Sequence, residues 1–218
     1  NTDATGSSFA MTVEQHFNFN RTGGGLNLSA ARIVAGKERE WVGGAANQDG
    51  FLAFYTALNE SPTEKMRIHS SGAVTKPNNP AFSVHSGVAY FTHGSDTGTI
   101  NVTTLSTVLF DTTSSYATGT NIFTAPVAGK YFMSFMFAYK STSGYLNVKL
   151  SKAVGNGSFG TYGRMFSGPP QQSSFYNNGQ AVIGVMDLAK GDRVRPQVEV
   201  NYSGNQLVNC HWSGYLLG

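Results

Sequence analysis

The sequence predicts an all-β protein of short strands and tight turns, and three observations carry that expectation. Helix formers are scarce in the 218 residues, while Gly, Thr, Ser, Asn, Phe and Tyr abound, and these residues suit strands and turns. Charged residues make up only 12% of the chain, so solubility rests on Asn, Ser, Thr and Gln. The third observation is the stretch Phe123–Tyr139, which turns at Pro126–Gly129 and runs into a strand. Along it Tyr131, Met133, Phe135, Phe137 and Tyr139 point one way, while Phe132, Met136 and Ala138 point the other with Ser134 the lone polar residue. A strand apolar on both faces needs cover on both. Either it is the central strand of one large sandwich, or one face meets another subunit.

A break falls at Thr75–Pro80, where two prolines and two asparagines interrupt any ladder. Residues 1–76 carry seven Lys/Arg against seven Asp/Glu, and residues 77–218 carry eight against five, which predicts two units divided there. In the first, glycines (Gly23–Gly25, Gly43–Gly44, Gly50, Gly72) separate short strands; Phe51–Leu58 is a compact apolar strand. Lys65–His69 alternates, with Met66 and Ile68 inward. So short a segment with so few large apolar groups makes a poor core alone, which predicts that copies from several chains share one. The single cysteine, Cys210, excludes an intrachain disulfide and a cysteine zinc site, and is expected to be buried and inert. No signal peptide is visible and no apolar run reaches membrane-spanning length, so no membrane insertion is expected. Asn1 is not a natural start, and the chain is expected to be a fragment of something longer.

Gly36–Trp41, then Asn47–Thr56, then Glu64–Gly72 form an ordered set that resembles the shaft of trimeric bacteriophage tail fibres. Similar modules resemble fibre-like adhesins of some bacteria. The resemblance covers residues 27–74 and implies a small interwoven trimeric β shaft. A second set spans the rest: Ala81–Val84, Phe110-Asp111, the Tyr116…Gly119 turn, Phe123–Phe132, Leu146–Leu150, Val182…Leu188, Gly191–Val194 and Trp212–Leu217. It resembles the globular head of complement C1q and its relatives, a trimeric jelly roll close in shape to tumour necrosis factor. That implies a homotrimer, with Tyr131, Met133, Phe135, Phe137 and Tyr139 expected at the trimer interface. It also marks Phe82 and Trp212 as packing residues. Two departures stand out. Arg195-Pro196 follows Val194, where relatives carry an aromatic residue nearby; and Gly160–Gly179 holds no Asp or Glu, so calcium is not expected there.

No constellation for catalysis stands out. The histidines at 16, 69, 85, 93 and 211 lack metal spacing, and no Gly-x-Ser-x-Gly elbow occurs. Glu38 and Glu40 lie in a Lys-Glu-Arg-Glu run that suits surface ion pairs better than sugar hydrolysis. The expectation is therefore no enzyme, no cofactor and no metal. Gly160–Gly179 reads as a long recognition loop with four aromatic residues. Aromatic platforms with amides suit sugars, which makes Tyr162, Arg164, Phe166, Phe175 and Tyr176 the first candidates, with Gln171, Gln172, Asn177 and Asn178 as hydrogen-bonding partners. Tyr145 and Tyr202 are secondary candidates. The competing reading is that two or three of these aromatics close the jelly roll or the trimer seam. The second unit's excess of three basic residues favours acidic glycans or phosphate-rich envelopes. Scattered basic residues without a known module argue against nucleic acid. The expectation is an extracellular fibre end, on a virion or a bacterial surface, that binds a cell-surface glycan; a purely structural trimer cap and a depolymerase are the alternatives.

Overall fold

The computed structural model describes residues 11–20, 22–23, 27–41, 48–59, 61–87, 91–92, 98–141, 146–166, 173–200 and 206–217. Every helix or strand among them is a strand. The chain forms two compact units, Asn1–Asn78 and Asn79–Gly218.

The first unit is a five-stranded antiparallel meander: β1 (Thr12–Asn20), β2 (Asn27–Lys37), β3 (Gly50–Ala57), β4 (Pro62–Ile68) and β5 (Val74–Thr75). Its register sorts the side chains onto two unlike faces. On one, Glu14 accepts from Arg32 at 3.0 Å, Arg32 lies 4.3 Å from the Tyr55 ring centroid, and the Tyr55 hydroxyl donates to Glu64 at 3.0 Å. Arg67 then binds Glu64 and covers the Phe51 ring at 3.8 Å. On the other face the pairings Val13↔Ala35↔Leu52↔Ile68↔Val74 and Ile33↔Phe54↔Met66 lay down an apolar sheet. Val13, Leu52 and Val74 are exposed there. A sheet that is apolar on one face has to bury that face against another layer.

The second unit is a two-layer sandwich. Its strands are β6 (Ala81–His85), β7 (Phe91–Thr92), β8 (Gly98–Asn101), β9 (Thr107–Asp111), β10 (Tyr116–Ala117), β11 (Ile122–Thr124), β12 (Gly129–Ser141), β13 (Leu146–Ala153), β14 (Gly160–Phe166), β15 (Ser173–Leu188), β16 (Arg193–Val200) and β17 (Gln206–Leu216). One sheet runs β15-β12-β17-β6-β9 with β7 beside β17; the other runs β10-β11-β16-β13-β14 with β8 beside β16. From β14 onward the chain changes sheet at every connection, and all pairings are antiparallel. That winding is a jelly roll.

Phe82 is the centre of the core. Its ring stacks on Phe123 at 4.7 Å and meets Trp212 edge-on at 4.8 Å. Tyr116 stacks beyond, its single hydroxyl proton shared between the Leu105 carbonyl at 2.7 Å and Asn121 Oδ1 at 2.9 Å. Gly214 makes this packing possible, because a Cβ there would strike the Met133 sulfur and the Phe82 ring.

The trimer-interface assignment needs correction. Tyr131, Met133, Phe135 and Phe137 are buried inside this core, because the ladder places Phe135 between Trp212 and Val182, on the side facing the second sheet. Tyr139 continues the ladder opposite Asn178; its side chain lies outside the described ones. The outward face belongs to the alternate residues. Phe132 stands between Val185 and Tyr215, Ser134 between Ile183 and Ser213, and Met136 between Ala181 and His211. There Ile183 is 59% exposed and Val185 51%, with Met136, Tyr215 and Phe110 also open. His211 Nε2 lies 2.9 Å from Ser83 Oγ on this face, and burial together with the adjacent His85 lowers its pKa.

Candidate ligand-binding site

The stretch from Gly160 to Gly179, expected as a loop, is largely strand. Its first part is β14, which pairs with β13 in one sheet, and its last part opens β15, which pairs with β12 in the other. Runs of Gly, Ser and Asn disguised this, since extended backbone held by ladder hydrogen bonds needs no β-forming side chain at every position. Arg164 stands opposite Lys149 and Phe166 opposite Asn147, whereas Phe175, Tyr176, Asn177 and Asn178 belong to β15. Beyond this placement their side chains are outside the described set. Gln171, Gln172, Tyr145 and Tyr202 lie outside the described residues altogether.

Tyr162 is the one first-choice candidate with a described side chain, and it bridges the sheets. Its hydroxyl accepts from the Asp187 N–H at 3.2 Å, and Lys152 Nζ lies 5.8 Å from its ring centroid. With Leu150, Val182, Ile183, Val185 and Met186 it lines a groove of about 210 Å³ along the open edge of the sandwich. Tyr162 is 46% exposed, so part of it seals the edge while the rest faces solvent.

Beside it lies a polar hub. Asp192 is 2% exposed. Its Oδ2 accepts from Ala189 N–H at 2.9 Å and pairs with Lys152 Nζ at 2.8 Å, and its Oδ1 accepts from Gly155 N–H at 3.3 Å. Gly191 precedes it at φ +87°, a left-handed turn position that favours glycine. The Lys152 bond, then those from Ala189 and Gly155, hold the Asp192 carboxyl below its usual pKa. A depressed aspartate adds stability that is complete above its unfolded pKa, near 4, and is lost as pH falls through the folded value. Asp192→Ala is accordingly expected to cost about 3 kcal/mol in urea unfolding at neutral pH, the low end for breaking a buried pair. The gap between mutant and parent should narrow below about pH 4.

No family model and no curated protein matches the chain. Solved structures do. The globular domain of zebrafish complement 1qA protein is similar at 19% identity and a TM-score of 0.42, over 64% of this chain and 98% of that one. Murine APRIL at pH 8.0 is similar at 15% and 0.46, over 63% and 99%. Eiger TNF from S. frugiperda is similar at 14% and 0.45, over 64% and 94%. The neighbours are C1q and TNF heads. The strand order of the second unit, independently of these likenesses, defines its jelly roll.

Cys210, in the middle of β17, is buried, and burial pushes its thiol pKa up to about 12. Glu38 is taken up by the first unit's turn, accepting from the Ser70 hydroxyl at 2.6 Å and lying 2.7 Å from His69 Nδ1. Among the described residues no three His, Cys, Asp or Glu side chains gather into a metal-sized group. Sequence reasoning missed Asp192 with Lys152, and Phe159 against Arg195. The Gly-Asp turn was visible, but its partner lies forty residues earlier, across a sheet connection.

Proposed function

We propose that the chain is the end of a homotrimeric extracellular fibre, a short β shaft capped by a jelly-roll tip that binds a cell-surface glycan. The observation that carries the reading is a repeated one: among the described residues, each unit contains a sheet with an exposed apolar face. In the shaft this face includes Val13, Leu52 and Val74; in the tip it includes Ile183, Val185 and Tyr215. Burial of apolar surface is the main driving force for association, and identical chains that share such faces close into symmetric rings. The shaft's resemblance to tail fibres and the tip's to C1q supports three copies. Three equal sites on one rigid tip would convert weak sugar contacts into firm attachment.

Light scattering tests the architecture: a trimer mass is expected, and a stable monomer overturns it. Binding to a glycan array and to a panel of intact bacteria tests recognition. With the trimer intact, Phe175→Ala is expected to weaken the cell signal by about 30-fold, the size of a typical aromatic anchor. Unchanged binding after exchange of residues 160–179 would remove the site from this region.

A structural cap is the second reading, and one observation favours it: Tyr162, the accessible first-choice aromatic, already spends its hydroxyl on closing the sandwich. A trimer that forms normally yet binds no envelope supports that alternative. A depolymerase ranks last, since the Glu38 carboxylate is engaged by Ser70 and His69.

A further inference from the structure

The open apolar face of the tip carries two histidines side by side. The register places Met136, His211 and His85 on one rung across β12, β17 and β6. Alternation along β12 and β17 puts that rung on the same side of the sheet as Phe132 and Tyr215. Residues directly opposite in a ladder have Cβ atoms about 4.5–5.5 Å apart, so the two imidazoles are immediate neighbours. Among the described residues, no Asp or Glu stands on this rung or on the rungs flanking it. Beyond His85 the rung ends at Thr107 of β9. The carboxylate on this side of the sheet, Asp187, faces Lys130 at the far end of β12, about 20 Å away at the rise of a strand. Lys140, at a register position on this same side of β12, is a further cation.

The two rings are seated differently. His85 Nδ1 accepts from the Gly87 N–H at 2.8 Å, so the neutral ring carries its proton on Nε2. His211 Nε2 lies 2.9 Å from the hydroxyl of buried Ser83. The other nitrogen, His211 Nδ1, is secluded from water with no partner among the described residues. An N–H at Nδ1 would meet no acceptor, so neutral His211 keeps its proton on Nε2 and donates to Ser83. Protonation would put a charged donor at Nδ1, unsatisfied and beside a second imidazole, which is costly. Burial, then the charge on His85, accordingly lowers the His211 pKa.

We propose that His211, with His85 beside it, is an acid switch on assembly: a proton taken up at Nδ1 opens the seam between copies and returns the tip to single chains. The proposal rests on the reading of this face as the seam of a homotrimer, and it adds the regulation of that seam. Neutral rings are readily covered by a neighbouring subunit, whereas imidazolium rings are covered only by dehydrating a charge in every chain. Covering the face therefore favours the neutral form still further. Assembly is then fully favoured above the ordinary imidazole pKa of 6.5 and weakens as pH falls through the lowered one. With the trimer goes the avidity of three sites on one tip, so acid would detach the fibre end from its target.

Light scattering on dilution series of the full chain tests it, between about pH 8 and about pH 5, which brackets imidazole but stays above the carboxylate range. Near-ultraviolet circular dichroism follows the fold in parallel. A trimer mass is expected at the higher pH. On acidification the trimer dissociation constant should rise, by up to about a thousandfold per pH unit once each of the three chains takes up one proton. The fold signal should hold, and the mass should return when the pH is restored. His211→Gln keeps a donor for Ser83 but takes no charge, so it should remain a trimer at the lower pH; His211→Asn is the second neutral variant. A parent trimer whose dissociation constant ignores pH overturns the switch, as does an equal acid loss in either neutral variant. Loss of the fold signal together with the mass makes unfolding the cause and also overturns it. If both variants are single chains at the higher pH, the ring is structural and the proposal falls. A parent that is a single chain at the higher pH removes the trimer reading itself, a result distinct from a trimer indifferent to acid.

Discussion

Replacing Ile183 and Val185 together by aspartate is expected to convert the proposed trimer into folded monomers. Both side chains sit on the open face of the β15-β12-β17-β6-β9 sheet, more than half exposed in the single chain. Their neighbours across the ladder are Ser134 and Phe132, and beyond these Ser213 and Tyr215, so the patch is continuous across three strands. Burying one such aliphatic side chain contributes about 1.5–3 kcal/mol. Aspartate removes that gain and adds the cost of dehydrating a charge, once per subunit at each site. Light scattering should report one chain mass, and the core should still unfold cooperatively because neither residue points into it. Val127→Asp is the control: Val127 is also exposed, but in the turn before β12, and its replacement should leave the trimer whole. A trimer that survives the double aspartate substitution would place the subunit seam elsewhere.

The second large effect is expected from Phe82→Ala, at about 3–5 kcal/mol of unfolding free energy. Phe82 touches the rings of Tyr116, Phe123 and Trp212, drawing both sheets onto one aromatic cluster. Domains of this kind hold only about 5–15 kcal/mol in reserve, so the loss should show as a large fall in the urea midpoint. Gly214→Ala supplies the complementary test. Its new methyl group would meet the Phe82 ring and the Met133 sulfur, and overpacking of that sort costs about 1–3 kcal/mol. In the Phe82→Ala background the methyl group has a cavity to enter, so the two substitutions should cost less together than apart. Strict additivity would mean that the strain at Gly214 comes from Met133 and the Phe132 carbonyl and not from Phe82.

The sequence made the strand Tyr131–Tyr139 legible as apolar on both faces, and a period of two is enough for that. It could not say which face the second sheet covers. That choice is fixed by pairing with Trp212 and Val182, both remote in sequence. The Cys210 and Phe82 readings needed only local composition and resemblance, and both residues are buried. The Gly160–Gly179 segment failed for the opposite reason. Its residues favour turns, but neighbouring strands supply the hydrogen bonds that extend most of it. Asp192 and Arg195 show the same limit from the polar side. Each was visible as a letter in a motif, yet its significance depends on Lys152 or Phe159 arriving from another turn.

β17 runs down the middle of its sheet, with β12 on one flank and β6 on the other. These flanking strands never pair with each other, and both are made well before β17. Until it inserts, the sheet is two separate ribbons with raw inner edges, and Trp212 is missing from the aromatic cluster. The open face shared by Phe132 and Tyr215 does not yet exist. Pairing that waits for so late a strand is non-local, and non-local pairing slows folding. A half-made chain has no finished outer face, so any association through that face has to wait until the chain has closed around its own latest strand.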